Sequence, residues 1–77
     1  MKVQVKLFAY ARRYHPTGND EEDVEVPEGV TVQGLLDHIG IPDRDAKVIF
    51  VNNAHAARNR QLIEGDRVAI FPPIAGG

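Results

Sequence analysis

The side chains that most often carry chemistry are scarce in this sequence of 77 residues. Cysteine is absent, which excludes disulfides, thiolate metal ligands and a cysteine nucleophile. His15, His38 and His55 do not have the spacing of metal ligands, and we expect them to be solvated surface residues. The sequence therefore predicts no metal site, and so short a chain leaves little room for a deep catalytic cavity.

The most distinctive segment follows Phe71. Pro72 and Pro73 lack backbone donors, so the chain should leave the sheet there in a stiff, extended form. A tail from residue 72 to residue 77 would span at most roughly 20 Å. Its last two residues are glycines, which allow close approach of the backbone to the walls of another protein's site. A terminal Gly-Gly taken alone, however, is most often a frayed end.

The composition describes one ordinary globular domain. Hydrophobic residues make up 43% and charged residues 26%, as in typical folded proteins, and the length allows one core. The net charge is -2, so the basic excess that attracts nucleic acids is missing and we expect no nucleic-acid partner. The chain opens with alternating residues instead of a long apolar stretch, so we expect a cytoplasmic protein with no membrane partner.

Residues 3–8 alternate apolar and polar side chains, which predicts a half-buried first strand. Residues 10–15 should form an exposed connection that stops at a proline, and the acidic run 20–23 should be a solvated loop. Residues 24–26 predict a short second strand that pairs with the first as a hairpin.

A helix is predicted after Thr31, which is a natural N-cap. The apolar stripe of an amphipathic helix is formed by Val32, Leu35, Leu36 and Ile39. Gly34 weakens this helix by about 1 kcal/mol relative to alanine, so packing must hold it. Gly40 provides a left-handed C-terminal cap.

The second half of the chain predicts the remaining strands. Residues 47–51 are apolar on both faces, as expected of a strand inside the sheet. Asn52 and Asn53 suit a tight turn into a short strand at residues 54–57. Leu62 and Ile63 should plug the core, and residues 67–71 alternate as a final strand. The order of strands in the sheet does not follow from this pattern.

This order of elements, followed by Phe-Pro-Pro-Ile-Ala-Gly-Gly at residues 71–77, resembles the MoaD and ThiS family of sulfur carriers. Further matching stretches lie at residues 5–9, 51–53 and 65–68. The resemblance implies an α+β fold of the ubiquitin-like β-grasp type, a mixed sheet of four to five strands packed on one main helix. It also divides the chain into a β-grasp domain of residues 1–71 and a flexible C-terminal tail of residues 72–77.

In that family a ubiquitin-activating-type adenylyltransferase uses ATP to adenylate the terminal glycine, and a sulfur donor protein converts it to a thiocarboxylate. The matching position is Gly77, with Gly76 letting the tail thread. The residues implied as the positioned stem are Pro72, Pro73, Ile74 and Ala75. The resemblance implies that the carrier itself binds no cofactor, because ATP is used by the activating enzyme.

The proline pair is more similar to the molybdopterin synthase small subunit than to the carrier of the thiamine pathway. It implies a molybdopterin synthase large subunit as partner and a role for molybdenum or tungsten cofactor, with no catalysis by this chain alone. Phe8 and Phe71, together with Ile74, are the candidate docking residues near the root of the tail, although either phenylalanine could instead belong to the core. Gly34 departs from the acidic residue expected in the family, and residues 54–60 match it poorly.

Two other functions use the same tail differently. A ubiquitin-like protein modifier would be joined through Gly77 to a lysine of a target after the same activation step, and a carrier could serve another pathway such as thiamine synthesis. A free carboxylate is a poor electrophile, so all of these need an activated acyl group first. A passive interaction domain, in contrast, would not need Gly76 and Gly77 at all.

Overall fold

The chain folds into one mixed sheet and one α-helix over the residues that the computed structural model describes, 1–15, 17 and 19–73. The strands are β1 (Lys2–Leu7), β2 (Glu21–Glu25), β3 (Val48–Val51), β4 (Ala54–His55) and β5 (Arg67–Phe71), and the helix α1 spans Val32–Ile39. A first 3₁₀ helix (Ala9–Tyr14) follows β1, and a second (Asp43–Asp45) precedes β3.

The strands lie in the order β2-β1-β5-β3-β4. β5 is parallel to β1 and antiparallel to β3, and the remaining pairs are antiparallel. The final strand of the sequence therefore occupies the middle of the sheet. This mixed sheet of five strands with one main helix confirms the predicted α+β architecture, the hairpin of the first two strands and the internal position of β3.

The core lies between one face of the sheet and α1. Alternate residues of β1 point into it, and its largest fully buried side chains include Val3, Val5, Leu7, Leu35, Leu36, Leu62 and Ile70. Removing this apolar surface from water is the main stabilising contribution to the fold. The prediction for Leu62 is confirmed, whereas that for Ile63 is wrong, because this side chain is 67% exposed.

The predicted caps of α1 are confirmed. The Thr31 Oγ1 accepts a hydrogen bond of 3.1 Å from the Gly34 amide, and Gly40 has a left-handed φ of 91°. The Ile41 amide then folds back to the Leu36 carbonyl at 2.9 Å. Packing explains the glycine at residue 34 of this helix, since a Cβ there would lie 2.7 Å from Val30 Cγ2.

The prediction of an exposed connection at residues 10–15 is confirmed only in part, for Tyr10, Arg12 and Arg13. This segment forms the first 3₁₀ helix, in which Ala11 is buried. His15 is 3% exposed, not a surface residue, and its Nε2 lies 3.1 Å from the Val5 carbonyl oxygen. The backbone of β1 thus gives the imidazole a buried hydrogen-bond partner. His38 and His55 are exposed as predicted.

The acidic run at residues 20–23 is also not a loop. Glu21, Glu22 and Asp23 belong to β2, where Glu21 pairs with Lys6 of β1. Charged residues are tolerated there because β2 is an edge strand and edge charges discourage aggregation. At the other edge, β4 ends at His55 instead of residue 57, although the Ala56 amide still bonds to the Ile49 carbonyl at 2.9 Å, and the Ala56 side chain is buried.

A buried carboxylate joins the two 3₁₀ helices. Asp45 is 4% exposed and accepts a 3.0 Å hydrogen bond from the Tyr10 hydroxyl and another from the Tyr14 hydroxyl. The Arg13 Nη2 lies 3.7 Å from it. The Tyr14 hydrogen bond is the main cause that lowers the pKa of Asp45, and Tyr10, Arg44 and Arg13 add to it against the opposing effect of burial. Burial and the Asp45 carboxylate raise the pKa of Tyr10, so its hydroxyl remains a donor at neutral pH.

Replacing Gly34→Ala should destabilise the protein, although alanine favours helices by about 1 kcal/mol. The new methyl group would meet Val30 Cγ2 at 2.7 Å, and a β-branched, half-buried side chain cannot easily rotate away. Overpacking of this kind costs about 1–3 kcal/mol, so we expect a net loss near 1 kcal/mol in the free energy of unfolding by urea. In a Val30→Ala background the same change should instead stabilise. A loss of equal size in both backgrounds would contradict the steric explanation.

The stabilisation from Asp45 should disappear in acid. Because its pKa is lower in the folded state than the unfolded value of about 3.9, its contribution is complete above that value and is lost as the pH falls through the folded pKa. The difference in unfolding free energy between wild type and Asp45→Asn should therefore be constant above about pH 5 and shrink below about pH 4. The exposed Asp20→Asn controls for net charge. A difference that stays constant down to pH 2 would refute this role.

Candidate functional site

The face of the sheet opposite α1, here called the open face, carries an aromatic cluster. Strand alternation puts Phe50 and Phe71 on this face, since their neighbours Val51 and Ile70 are buried in the core. The rings of Phe8 and Phe71 are stacked, with centroids 4.1 Å apart and an interplanar angle of 12°. Phe50 meets Phe71 edge-on at 5.8 Å and His55 edge-on at 5.7 Å. These rings cover strands that are far apart in the sequence.

A recess opens between the rings because Ala69, which pairs with Phe50 on one side and with Lys6 on the other, has a small side chain. The recess has a volume of about 550 Å³. Its apolar lining is Phe8, Phe50, Phe71 and Ala69, and its polar lining includes Lys6, Glu21, Asn53 and Arg67. The Lys6 Nζ lies 5.1 Å from the Phe8 ring centroid, within the range of a cation–π interaction. An apolar floor with a charged rim is the usual form of a protein-docking surface.

The root of the tail lies beside this recess. The Ile70 carbonyl accepts a hydrogen bond of 3.2 Å from the Phe8 amide, and the Phe71 carbonyl accepts one of 2.9 Å from Lys47. Pro72, the next residue, is buried, and Pro73 is half-buried. The end of β5 is thus held on both sides up to the first proline.

The residues predicted from the sequence separate into two groups. Phe8 and Phe71 are half-buried and lie together at the root of the tail. Pro72 and Pro73 follow directly after Phe71, whereas Ile74, Ala75, Gly76 and Gly77 lie outside the described residues. The structure brings the two docking candidates into contact and fixes the point from which the tail departs.

Sequence reasoning missed Phe50 and Ala69, which complete the recess. Phe50 belongs to residues 48–51, which are apolar on both faces of the predicted strand. This pattern did indicate that an apolar side chain lies on the open face. Its contact with Phe71 depends on the pairing of β3 with β5, which the pattern does not reveal. Asp45 was missed because its tyrosine partners lie more than 30 residues away in the chain, at separations of 35 and 31 residues.

Two further properties concern only residues 1–15, 17 and 19–73. Within them, no three His, Asp or Glu side chains come together in a way that could hold a metal ion. No helix in this part of the chain has the length and apolar character needed to cross a membrane.

Comparisons with known proteins agree with this geometry. The chain is 30% identical over 81 residues to the molybdopterin synthase sulfur carrier subunit of Arabidopsis thaliana, covering 97% of this chain and 84% of that protein. A putative molybdopterin converting factor subunit 1 from Pyrococcus furiosus superimposes with a TM-score of 0.74 at 37% identity, over 95% of this chain and 98% of that one. The Haloferax volcanii small archaeal modifier protein 1 gives a TM-score of 0.78 at 25% identity, over 95% and 98%.

These neighbours share the ubiquitin-like β-grasp fold that the resemblance implied. The match to a defined family is also nearly complete, because the ThiS family covers residues 5–77, from the first strand through the terminal Gly-Gly. The agreement thus includes the sheet, the helix and the segment that continues β5. This protein belongs to the ThiS family.

Proposed function

We propose that this protein is a sulfur carrier whose C-terminal Gly77 is adenylated and converted to a thiocarboxylate that donates sulfur in molybdopterin biosynthesis. The product would serve a molybdenum or tungsten cofactor. The observation that carries the proposal is the aromatic recess beside the root of the tail, in a chain of the ThiS family. Similarity to a relative named a molybdopterin synthase sulfur carrier subunit supports this pathway over thiamine synthesis.

The chemistry requires activation because a carboxylate is a poor electrophile. A Gly77 carboxylate oxygen attacks the α-phosphorus of ATP, pyrophosphate leaves, and an acyl adenylate forms. Sulfide sulfur supplied by the sulfur donor protein then attacks the acyl carbon and AMP leaves, which gives the thiocarboxylate. Both steps take place in a ubiquitin-activating-type adenylyltransferase, so this chain needs no catalytic side chain or bound cofactor of its own.

The tail and the body have different tasks in this proposal. Beyond Pro73, residues 74–77 can reach at most roughly 13 Å, enough to enter a buried site while the body stays outside. Gly76 lets the backbone thread between close walls, and Pro72 and Pro73 reduce the entropy lost when the stem is ordered. Ile74 and Ala75 complete the stem between the prolines and the glycines.

Phe8, Phe50 and Phe71 form the docking surface for the partners. These are the adenylyltransferase and then a molybdopterin synthase large subunit, with which this chain would form a sulfurtransferase complex as its non-catalytic small subunit. The relative's name describes a subunit, which supports a larger partner. The recess accepts one bulky apolar side chain from each partner, and the rings around it supply the rigid aromatic contacts typical of binding hot spots.

A ubiquitin-like protein modifier is the second candidate. It is favoured by the similarity to a Haloferax volcanii protein named small archaeal modifier protein 1, at 25% identity over 95% of this chain. In that case the same acyl adenylate would end as an amide with a lysine of a target. The two functions share activation and differ in the acceptor.

Intact-mass measurement of the protein purified from its own cells separates these functions. A sulfur carrier should show the mass increase expected when one sulfur replaces one oxygen, and a modifier should show ladders of higher-mass conjugates. A variant with one alanine added after Gly77 should lose the sulfur-bearing form and keep its fold, because the tail lies beyond β5. Thiocarboxylate on the extended variant would count against Gly77 as the reacting residue. Full function after deletion of Gly76 and Gly77 would indicate a passive interaction domain.

Filling or removing the recess should weaken binding to the large subunit. Phe8→Ala deletes one stacked ring, and Ala69→Leu occupies the space between the rings without touching the core. Loss of a hot-spot contact costs about 2 kcal/mol or more, so titration calorimetry should show at least a roughly 30-fold higher Kd for either variant. Ile63→Ala is the matched control, because Ile63 is 67% exposed and precedes β5, away from the tail. An equal loss for Ile63→Ala, or none for Ala69→Leu, would refute the recess as the docking site.

A further inference from the structure

The tail-bearing strand β5 ends between the two 3₁₀ helices. β1 runs parallel to β5, so the first 3₁₀ helix, which follows β1, lies at the end where β5 finishes. β3 runs antiparallel to β5, so the second 3₁₀ helix, which precedes β3, lies at the same end on the other side. The topology thus places a short helical segment on each flank of the residues that leave the sheet.

Asp45 connects these flanks across the end of β5. It belongs to the second 3₁₀ helix and accepts hydrogen bonds from Tyr10 and Tyr14 of the first. Two residues later, the Lys47 amide holds the Phe71 carbonyl at 2.9 Å. The carboxylate is 4% exposed, which leaves it little surface with which to contact a partner directly. Its hydrogen bonds therefore connect the two 3₁₀ helices that flank the end of β5.

We propose that Asp45 is a positioning residue for the C-terminal tail, which fixes the place and direction in which Phe71, Pro72 and Pro73 leave the sheet. The proposal rests on the proposed function, because positioning matters only if the chain end must reach a reacting group. Burying a carboxylate is costly, and an apolar residue in such a place often gives equal or greater stability. A connection across the strand that carries the tail gives this carboxylate a task that apolar packing would not perform.

The effect on the reaction should appear in kcat and not in KM. Docking depends on the rings of the open face, whereas the rate of adenylation depends on how the chain end is aligned with ATP. A misalignment of about 1 Å can reduce a rate by a factor on the order of 100. Weakening the contact between the two 3₁₀ helices should therefore slow the reaction of a complex that docks normally.

Asp66 is a matched control at the opposite end of β5. It is 3% exposed, and it also accepts two hydrogen bonds, from the Asn52 Nδ2 at 2.9 Å and from the Ile63 amide at 2.8 Å. Two backbone amides that flank β3 serve as matched reporters, because the Lys47 N–H bonds to the Phe71 carbonyl and the Asn52 N–H bonds to the Arg67 carbonyl at 2.8 Å. Any general effect of losing a buried carboxylate should be common to both ends.

The experiment compares Asp45→Asn, Tyr10→Phe and Asp66→Asn in the full chain. Amide hydrogen exchange of Lys47 and Asn52 is measured first, without a partner. The kcat and KM of C-terminal adenylation are then measured by ATP–pyrophosphate exchange with the adenylyltransferase of the same organism. For Asp45→Asn we expect faster exchange at Lys47 than at Asn52 relative to wild type, a loss in kcat of roughly tenfold or more, and a KM within about twofold. Asp66→Asn should reverse the exchange pattern and keep kcat within about twofold.

Each outcome decides the proposal. Tyr10→Phe removes one donor from a side chain that is 40% exposed, so it tests the same connection if Asp45→Asn does not fold, and it should also lower kcat. Wild-type kcat in Asp45→Asn or Tyr10→Phe, or an equal loss in Asp66→Asn, overturns the positioning role while the proposed function stands. A wild-type chain that the enzyme does not adenylate overturns the proposed function, and the positioning role with it.

Discussion

The position of β5 in the middle of the sheet is the constraint on which the rest of this structure depends. The strand is paired with β1 on one side and β3 on the other, so its backbone donors and acceptors are used up to Phe71. Pro72 then has no amide to offer, and the ladder cannot continue. The chain end therefore leaves from the part of the sheet that is held on both sides, not from an edge. The residues that follow Phe71 thus have a defined starting point.

The same strand couples the core to the open face. Ile70 is fully buried, while its neighbour Phe71 stacks on Phe8 and meets Phe50. Because a strand alternates between faces, a shift of one residue in register would exchange the two environments. Packing of the core thus fixes the register, and the register fixes the rings around Ala69. The aromatic contacts add about 0.5–1.5 kcal/mol per pair, but they depend on an arrangement that the buried face has already determined.

Local signals in the sequence were sufficient for local structure. The alternation of β1, the Thr31 and Gly40 caps, and the left-handed Asn52–Asn53 turn follow from neighbouring residues, and the structure has them, with φ of 52° and 69° at the two asparagines. Longer-range contacts were not accessible in this way. His15 looks like a surface residue until β1 supplies the Val5 carbonyl, and a strand at residues 21–23 is disfavoured by its charges until Lys6 lies opposite.

The same distinction between local signals and longer-range contacts applies to the candidate site. The tail was recognisable because proline and glycine have meaning at single positions, and Phe8 and Phe71 were identifiable from their proximity in the chain to strand ends. The recess was not, because it requires three strands in a particular order, with alanine at residue 69 and large rings around it. The need for glycine at residue 34 also depends on a contact, because a Cβ there would meet the side chain of Val30. The helix itself has no preference for glycine.

A carrier with this geometry can separate affinity from chemistry. If Gly77 is the reacting residue, as we propose, the same chain end must enter an activating enzyme, leave it and enter an acceptor. Very tight binding to any one partner would halt that exchange, since most differences in affinity between related complexes lie in the dissociation rate. In this proposal, the recess of about 550 Å³ supplies a small number of strong contacts, and the tail adds contacts only in the partner that surrounds it. Release from each partner is then possible because only a small number of strong contacts on the body of the protein must break.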